Sequence, residues 1–518
     1  MKASNRQHRS SRQARPQEHG PLERENERLS REVERLRQEL IERDRKLSEA
    51  EEQIAEAEKQ IADLERKLAL RLQNSVTSSK PPSSDGLAGE QRQRGRRQCK
   101  SRRKPGGQPG HQGHWRGLAP AERVDKVIDL LPARCRYCAC RLAGGSWKVS
   151  TQGEPRRHQV TELPPIEANI TEYRCQSAVC PDCGKTTQAE LPQEVQGHFG
   201  AELTALIAYL TVVCRMPRRV VQELLEQVLG IPLSLGSIQN SWEEASQAVA
   251  EPCSELEKQL AHEPVINSDE TGYRTSGEKR WLWALVAPGF VFYKIALTRG
   301  AEVLVQLLGA VFAGILCSDR CPTYLKYHKG EGQFCWAHFK RNMLGVLEIA
   351  KTTEAERFCR DALALHARLF RLWHRFRAGP GIRYGPITRE QLIAKSIPLE
   401  KKFFALAERY ADSRDKDVRN LALALLKHFE KFFAFLRTDG VEPTNNVAER
   451  ALRCAVQWRK ISFGSRSAQG EIAVARLLTV TRTCRLQNKP PLDYLAHAIQ
   501  SHRQARAVPS LLKTASTN

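Results

Sequence analysis

The sequence predicts a multidomain α+β protein, and three features of the chain support this prediction. Apolar residues recur every seven positions over residues 21–73, two CxxC pairs lie within residues 131–192, and short apolar runs typical of strands begin after residue 261. At 518 residues the chain is long enough for about three domains. We therefore expect an N-terminal coiled coil, a cysteine-rich module and an α/β core with a helical insertion.

The charge of the chain indicates a polyanionic partner. The formal charge is +23 and the pI is near 9.6, and residues 91–118 contain nine Lys/Arg and no acid. We expect this tract to bind DNA phosphates as an extended arm, with a solvated spacer as the alternative. No secretory leader and no run of 18 apolar residues is visible. The expected location is therefore cytoplasmic and nucleoid-associated, with no membrane contact.

Two apolar seams predict the coiled coil. One seam is Asn26, Val33, Leu40, Leu47, Ile54, Ile61 and Leu68, and the other is Leu22, Leu29, Leu36, Arg43, Ala50, Ala57 and Leu64. Apolar heptad positions with charged flanks are typical of a leucine zipper. We expect a homodimer or higher oligomer through this segment, and a single solvated helix is the alternative.

The cysteines suggest a zinc site. Fifteen cysteines in a chain without a leader favour free thiols and metal ligands over disulfides. Each CxxC pair can present two thiolates to zinc from one tight turn. Cys140 and Cys175 are nearby competitors for the ligand positions. The expected ligands of one Zn²⁺ in a zinc ribbon-like module are Cys135, Cys138, Cys180 and Cys183.

Short apolar runs after residue 261 follow the order strand, strand, strand, helix, strand. The predicted elements are a strand at 264–268, a hairpin of 280–287 and 290–296, a helix at 300–312, a strand at 314–318 and a fifth strand at 333–338. Asp269 follows the first strand and Asp319 the fourth. This order is typical of the ribonuclease-H-like fold. Residues 346–436 have an almost wholly helical pattern, which we interpret as an insertion.

A third acid, Glu449, lies in Thr444-Asn-Asn-Val-Ala-Glu449, which has the pattern of a first helical turn. Acids on two strands and one helix can converge on two divalent cations, a site that suits phosphoryl transfer. We therefore expect Asp269, Asp319 and Glu449 to bind two Mg²⁺ ions, roughly 3.5–4 Å apart. Glu270 and Glu442 are rival ligands. Asn446-x-x-Glu449 could also be a capping box.

These features divide the chain into consecutive segments. In order they are a disordered basic tail (1–20), a coiled coil (21–73), a basic flexible linker (74–130), a zinc-binding domain (131–192), a helical domain (193–260), the first part of the catalytic core (261–345), the helical insertion (346–436), the second part of the core (437–486) and a C-terminal segment (487–518).

Short motifs follow one another in a fixed order along nearly the whole chain. They are Lys80-Pro-Pro-Ser-Ser-Asp85, Gly106-Gly-Gln-Pro-Gly-His111, the paired CxxC, Asp269-Glu-Thr, Asp319-x4-Tyr324, Cys335-Trp-Ala-His338, Asn445-Asn-x2-Glu449-Arg450, Thr483-Cys-Arg-Leu and Pro490-Pro491-Leu-Asp-Tyr494. In this order and spacing the chain resembles transposases of the insertion sequence 66 family, in the class that uses two aspartates and one glutamate. The resemblance implies Asp269, Asp319 and Glu449 as metal ligands on a ribonuclease-H-like fold. It also implies accessory proteins encoded by the same element.

The expected function is that of a DNA transposase, which cuts at the ends of an element and transfers the freed 3′-hydroxyl to target DNA. The residues expected to contact DNA are His338, Arg341, Arg450, Arg453 and Lys460. The alternative for His338 is a satisfied histidine at a strand end, and for the cations of the last helix it is a solvated face. Two rival functions remain: a non-catalytic DNA-binding or regulatory protein, and a nuclease that cuts without joining strands.

Overall fold

The computed structural model has a mixed α+β architecture and describes residues 20–73, 117–130, 132–141, 156–164, 166–192, 194–195, 197–378 and 385–512. Nearly all of the basic tail and of the arginine-rich tract lies outside these residues. The chain forms two units, residues 1–85 with 341–361 and residues 86–340 with 362–518. Among the helices of the described residues, none combines the length and the apolar character needed to cross a membrane.

The first unit contains one long helix, α1 (Pro21–Leu72). Near its C-terminal end, Glu65 pairs with Lys351 at 2.5 Å between Oε2 and Nζ. The seam residues lie on the surface, and Leu40 and Ile54 are 63% and 59% exposed. The helix predicted from the heptads is therefore confirmed, and its pairing with a second copy stays a prediction.

The second unit contains helices before and after a sheet. The helices before the sheet are α2 (Ala201–Val212), α3 (Arg218–Leu229), α4 (Leu235–Ala248) and α5 (Ala250–Gln259). The later helices, of which α8 and α9 run across both units, are α6 (Ala301–Leu308), α7 (Pro322–Tyr327), α8 (Trp336–Ile349), α9 (Thr353–Arg377), α10 (Arg389–Arg409), α11 (Lys416–Lys427), α12 (Phe429–Phe433), α13 (Asn446–Ser462), α14 (Ala468–Leu486) and α15 (Pro491–Arg503).

The strands of the described residues form a hairpin and a larger sheet. The hairpin consists of β1 (Ser177–Val179) and β2 (Thr186–Gln188). The sheet consists of β3 (Val265–Thr275), β4 (Glu278–Val286), β5 (Val291–Ala296), β6 (Ile315–Ser318) and β7 (Gly332–Phe334). Its strand order is β5-β4-β3-β6-β7. The pairs β3–β4 and β4–β5 are antiparallel, and the pairs β3–β6 and β6–β7 are parallel.

Two predicted strand ends were wrong. The first strand does not end before Asp269 but continues to Thr275, because β3 pairs with β4 as far as the turn. The last strand stops at Phe334, and α8 begins at Trp336. His338 therefore lies in the first turn of a helix and not at a strand end. The helix starts here because the Phe339 N–H donates to the Cys335 carbonyl at 3.2 Å.

Helix α14 covers the outer edge of the sheet. The hydroxyl oxygen of Thr479 accepts a hydrogen bond from the Tyr293 N–H at 3.0 Å, and that of Thr483 accepts one from the Val291 N–H at 3.1 Å. These N–H groups belong to the edge strand β5, where unpaired donors would otherwise be open to another strand. The Tyr293 hydroxyl also donates to the Ala451 carbonyl of α13 at 2.7 Å. Both helices are thereby held against the sheet.

The region from 346 to 436 is largely helical where it is described, as predicted. Within the second unit its aromatic residues surround Trp336, with ring centroids 5.2 Å from Phe403, 5.2 Å from Phe432 and 5.5 Å from Phe433. Trp336 is fully buried, and its indole N–H donates to the Phe432 carbonyl at 2.5 Å. These aromatic residues therefore pack on Trp336, the first residue of α8, two positions after the end of β7.

Candidate active site

Strands β3 and β6 place two aspartates side by side. The strands are parallel, with Val265 opposite Ile315 and Asn267 opposite Cys317. Asp269 lies two residues beyond the last of these pairs on β3, and Asp319 lies two residues beyond it, directly after the end of β6. Neighbouring strands lie about 4.8 Å apart. Both side chains are half-buried. The two acids that sequence analysis placed 50 residues apart are thus neighbours across one strand pair.

Backbone and side-chain bonds bring Glu449 to the same place. The Asn445 side chain donates to the Ser268 carbonyl at 2.7 Å, directly beside Asp269. The Asn445 N–H donates to the Cys335 sulfur at 3.1 Å. Asn445 directly precedes α13, and Glu449 lies in the first turn of that helix. The start of α13 is therefore fixed to the sheet at the aspartates.

The capping-box alternative for Glu449 does not match this geometry. A capping box uses the third residue of a helix, and the first residue of α13 is Asn446. Glu449 is the fourth residue, and the Asn445 side chain makes no capping hydrogen bond. Instead, the Glu449 Oε1 atom lies 3.5 Å from Nδ1 of His338.

The pKa of Asp269 is affected by the acids around it. Burial raises its pKa well above the usual value, and the negative charges of Glu270, Asp319 and Glu449 raise it further. Each aspartate accepts a local backbone hydrogen bond: Asp269 Oδ1 from the Glu270 N–H at 3.0 Å, and Asp319 Oδ1 from the Cys321 N–H at 2.9 Å. Carboxylate oxygens gathered in this way are the donors that hard cations such as Mg²⁺ prefer. A bound cation would offset the repulsion that raises the pKa of Asp269.

The two rival acids have other partners. Glu270 points to the opposite face of β3 from Asp269, since side chains alternate along a strand. Its carboxylate pairs with the Arg299 Nε atom at 2.6 Å and accepts a hydrogen bond from the Tyr324 hydroxyl. Glu442 pairs with Arg377 at 3.3 Å. Both rivals are therefore engaged in ion pairs outside the group of three acids.

The cations predicted to contact DNA lie on two helices. His338 is in the first turn of α8, 22% exposed, and Arg341 follows one turn later on the same helix. Arg450, Arg453 and Lys460 lie on α13, and all three are exposed. The structure thus brings His338 to Glu449 and leaves the α13 cations on the surface.

Three residues near the acids escaped the sequence analysis. Cys335 and Asn445 connect α13 to the sheet, and both are almost fully buried. Arg320 follows Asp319, and its guanidinium lies 5.0 Å above the ring of Phe339. Burial lowers the pKa of Arg320, while the charge of Asp319 raises it. The sequence offered one indication of their importance. Arg320, Cys335 and Asn445 lie within the short motifs that contain Asp319, His338 and Glu449.

The two CxxC pairs form matching turns. The Cys135 N–H donates to the Cys140 carbonyl at 2.9 Å, and the Cys180 N–H donates to the Lys185 carbonyl at 2.8 Å. In both turns a residue with positive φ follows the second cysteine, Ala139 at 57° and Gly184 at 67°. Strands β1 and β2 close the second turn.

Backbone amides stabilise one thiolate in each turn. The N–H groups of Cys138 and Tyr137 lower the pKa of Cys135, and those of Cys183 and Asp182 lower the pKa of Cys180. This arrangement suits thiolate ligands of zinc. Among the described residues, three candidate ligand atoms come within 4.8 Å of one another only at Cys335, His338 and Glu449, so neither the four cysteines nor the three acids form a set at that spacing.

Comparison with known proteins identifies the family. The chain is 27% identical to the uncharacterized protein y4qI of Sinorhizobium fredii over 263 residues, 45% of this chain and 47% of that protein. It therefore spans about half the length of that relative. It is 25% identical to the uncharacterized protein y4hP of the same organism over 413 residues, 72% of this chain and 71% of that protein.

Two family models match different parts of the chain. Residues 16–117 match a family of unknown function (DUF6444). Residues 196–473 match the transposase IS66 family, a span of more than half the chain that includes Asp269, Asp319 and Glu449. The chain belongs to the transposase IS66 family.

Proposed function

We propose that this protein is a DNA transposase that cuts DNA at the ends of its element and joins the freed 3′-hydroxyl to target DNA. The observation that carries the proposal is that Asp319 and Glu449 lie near enough to Asp269 for their charges to raise its pKa. The register of β3 and β6, the Asn445 bond to Ser268 and the raised pKa of Asp269 all support it. We assign these three carboxylates as the ligands of two Mg²⁺ ions.

The arrangement of the sheet supports a ribonuclease-H-like core. Three antiparallel strands, then a helix, then two parallel strands give the order β5-β4-β3-β6-β7. The first acid lies on the central strand β3, the second directly after β6, and the third on α13, which packs beside the sheet. We infer that α9 to α12 are inserted between the second and third acids of this core.

The chain's own residues have distinct parts in the proposed reaction. When bound, the Mg²⁺ ions would stabilise the attacking and leaving oxygens of an in-line displacement at phosphorus. Asp269 lies on β3, Asp319 lies directly after β6, and each accepts a local N–H bond. Their side chains therefore need little further ordering when a phosphodiester binds. Arg320, half-buried beside Asp319, is placed to bind a non-bridging phosphate oxygen. Arg450, Arg453 and Lys460 on α13, with His338 and Arg341 on α8, are proposed to hold the DNA backbone.

We propose that the cysteine turns bind zinc and support DNA binding. Cys135, Cys138, Cys180 and Cys183 occupy equivalent positions in two matching turns, whereas Cys140 and Cys175 lie outside those positions. The donor set therefore fits one Zn²⁺, with the turns drawn together around it. The basic linker is proposed to add sequence-independent contacts to phosphates.

We propose that α1 pairs two or more copies of the chain, so that each copy can hold one end of the element. The exposed heptad seam supports this role, because an apolar stripe along a helix of 52 residues favours burial against a partner helix. Accessory proteins of the same element are proposed as further partners. With DNA as substrate, the proposed place of action is the nucleoid in the cytoplasm.

Incubation of the full chain with an element-end duplex, a target plasmid and Mg²⁺ tests the proposal. We expect a cut that leaves a 3′-hydroxyl, followed by a product in which the element end is joined to target DNA. A cut without joining would favour a nuclease. Binding without any cut would favour a regulatory protein. Omission of Mg²⁺ is the control and should remove both products.

A further inference from the structure

Cys335, His338 and Glu449 form a second cluster of potential metal ligands within the candidate active site. The ligand atoms of the three side chains all lie within 4.8 Å of one another. Ligands of a tetrahedral zinc ion at about 2.0–2.3 Å from the metal are about 3.3–3.8 Å apart. The 3.5 Å between His338 Nδ1 and Glu449 Oε1 already has this spacing. The sulfur lies within 4.8 Å of both atoms and would move closer to them to complete a set of three.

The backbone around Cys335 resembles that of the two zinc-type turns. In those turns, N–H groups two and three residues after the cysteine stabilise the thiolate. At Cys335 the N–H groups of Ala337 and His338 occupy the same two positions, and both lower the pKa of the thiol. The Asn445 N–H adds a third hydrogen bond to the sulfur, at 3.1 Å. Cys335-x2-His338 thus repeats the spacing of a CxxC pair with imidazole as its second ligand.

The chemistry of these three groups selects the type of cation. Thiolate and imidazole are ligands for borderline ions such as Zn²⁺ and Co²⁺, whereas Mg²⁺ takes oxygen ligands. The Cys335 sulfur is buried, and it lies within 4.8 Å of the ligand atoms of His338 and Glu449. A divalent ion bound there would take the thiolate form of Cys335 and balance the carboxylate beside it. Three protein ligands leave a fourth position open.

We propose that Cys335, His338 and Glu449 bind a single borderline divalent cation, Zn²⁺ or Co²⁺, and that this ion takes Glu449 away from the Mg²⁺ site. The consequence for DNA cleavage rests on the proposed function, because it requires Glu449 to be an Mg²⁺ ligand. The binding itself does not depend on that assignment. The site would make the protein sensitive to free zinc through one shared carboxylate.

Cobalt binding to the full chain tests the site directly. Co²⁺ bound to a thiolate gives a near-ultraviolet charge-transfer band, which can be titrated without any DNA. Because the cysteine turns can also bind cobalt, wild type is compared with Cys335→Ser, which leaves those turns intact. A second variant, His338→Gln, keeps the Cys335 sulfur and its N–H bonds. The matched control is Cys454→Ser, since Cys454 is a half-buried thiol on α13 outside the cluster.

The expected result is that wild type and Cys454→Ser bind one cobalt ion more per chain than Cys335→Ser. His338→Gln should bind that ion at least about tenfold more weakly, since loss even of an outer partner of a metal ligand costs 10–100-fold in affinity. Equal cobalt stoichiometry and equal spectra in wild type and Cys335→Ser would overturn the proposal. If wild type binds one cobalt ion more than Cys335→Ser but no preparation cuts DNA with Mg²⁺, the metal site stands and the proposed function fails.

Zinc inhibition tests the shared carboxylate. With Mg²⁺ held constant, added Zn²⁺ should inhibit DNA cleavage by wild type and by Cys454→Ser at the same concentration. For His338→Gln, the zinc concentration for half-inhibition, relative to that variant's own uninhibited rate, should rise at least about tenfold. Identical inhibition curves for wild type and His338→Gln would show that zinc does not act through this cluster.

Discussion

The side-chain amide of Asn445 donates to the carbonyl oxygen of Ser268 at 2.7 Å, across 177 residues of sequence. Ser268 precedes Asp269 on β3, and Asn445 lies one turn before Glu449 on α13. This bond therefore fixes the distance between the first and third acids of the candidate site. Asn445 is 2% exposed, so water does not replace the bond when it is lost.

Substitution of Asn445 should weaken both folding and cleavage. Asn445→Ala leaves the buried Ser268 carbonyl without its donor, which costs about 1–3 kcal/mol of unfolding free energy. Urea unfolding measures this loss, and DNA cleavage should fall because the start of α13 is no longer held at β3. The control is Asn446→Ala, at the adjacent exposed position, which should change neither quantity. Unchanged unfolding and cleavage in Asn445→Ala would show that the bond does not position Glu449.

Zinc content should follow the matching cysteine turns. The double variant Cys180→Ser with Cys183→Ser should lose the zinc of the cysteine-rich module, because only two of the four proposed ligands remain. Cys140→Ser with Cys175→Ser should keep it. Elemental analysis of the purified full chain, compared with wild type, measures both. Retention of that zinc by the first double variant would move the ligands to Cys140 and Cys175.

Self-association should depend on the seam of α1. Leu40→Lys with Ile54→Lys places two charges on the seam while lysine preserves helix propensity, so the oligomer should dissociate with the helix intact. Sedimentation of the full chain measures the change. Ile41→Lys is the matched control, because Ile41 is 68% exposed beside Leu40 but off the seam. A monomeric wild type, or an intact oligomer in the double variant, would contradict the proposed role.

Acid should destabilise the protein through His366. Burial and the charge of Lys340 lower the pKa of His366 to about 4, and its ring stacks on Phe370 with centroids 4.1 Å apart. The pKa of His366 in the folded protein is below its unfolded value near 6.5. The free energy of unfolding that neutral His366 contributes is therefore fully present above pH 6.5 and is lost as the pH falls toward 4. The loss between pH 7 and pH 4 should be about 3 kcal/mol.

The variant His366→Phe removes the titrating group. Its free energy of unfolding, measured with urea, should therefore change less between pH 7 and pH 4 than that of wild type. His497→Gln is the control, since His497 is exposed and should leave the curve as in wild type. If His366→Phe shows the same slope as wild type between pH 7 and pH 4, another group is responsible.

The sequence predicted those elements that depend on local pattern. The heptads of α1 and the apolar runs of β4, β5 and β6 correspond to helices and strands in the structure. The full length of β3 could not be predicted, because residues 270–275 are in a strand through their pairing with β4. His338 was placed on a strand because the buried Cys335-Trp-Ala run has no helical period. Its helix depends on bonds to distant residues, such as that of the Trp336 N–H to the Pro443 carbonyl at 2.9 Å.

The residues of the candidate site were proposed from the sequence, but the contacts that hold them were not. Asp269 and Asp319 follow from strand order and a parallel register, which are properties of the sequence pattern. The place of Glu449 depends on Asn445 and Cys335, whose contacts span 177 and 110 residues. Such contacts leave no periodic signal in the sequence. The cluster of Cys335, His338 and Glu449 was missed for the same reason.

Mg²⁺-dependent cleavage of an element-end duplex by carboxylate variants tests the central claim most directly. Asp269→Asn, Asp319→Asn and Glu449→Gln each remove one charge at constant shape, and Glu442→Gln is the matched control because Glu442 pairs with Arg377 instead. We predict that each of the three variants binds the duplex like wild type but shows no detectable cleavage, while Glu442→Gln cleaves normally. Near-wild-type cleavage by any one of the three would contradict the assignment of a single site built from Asp269, Asp319 and Glu449.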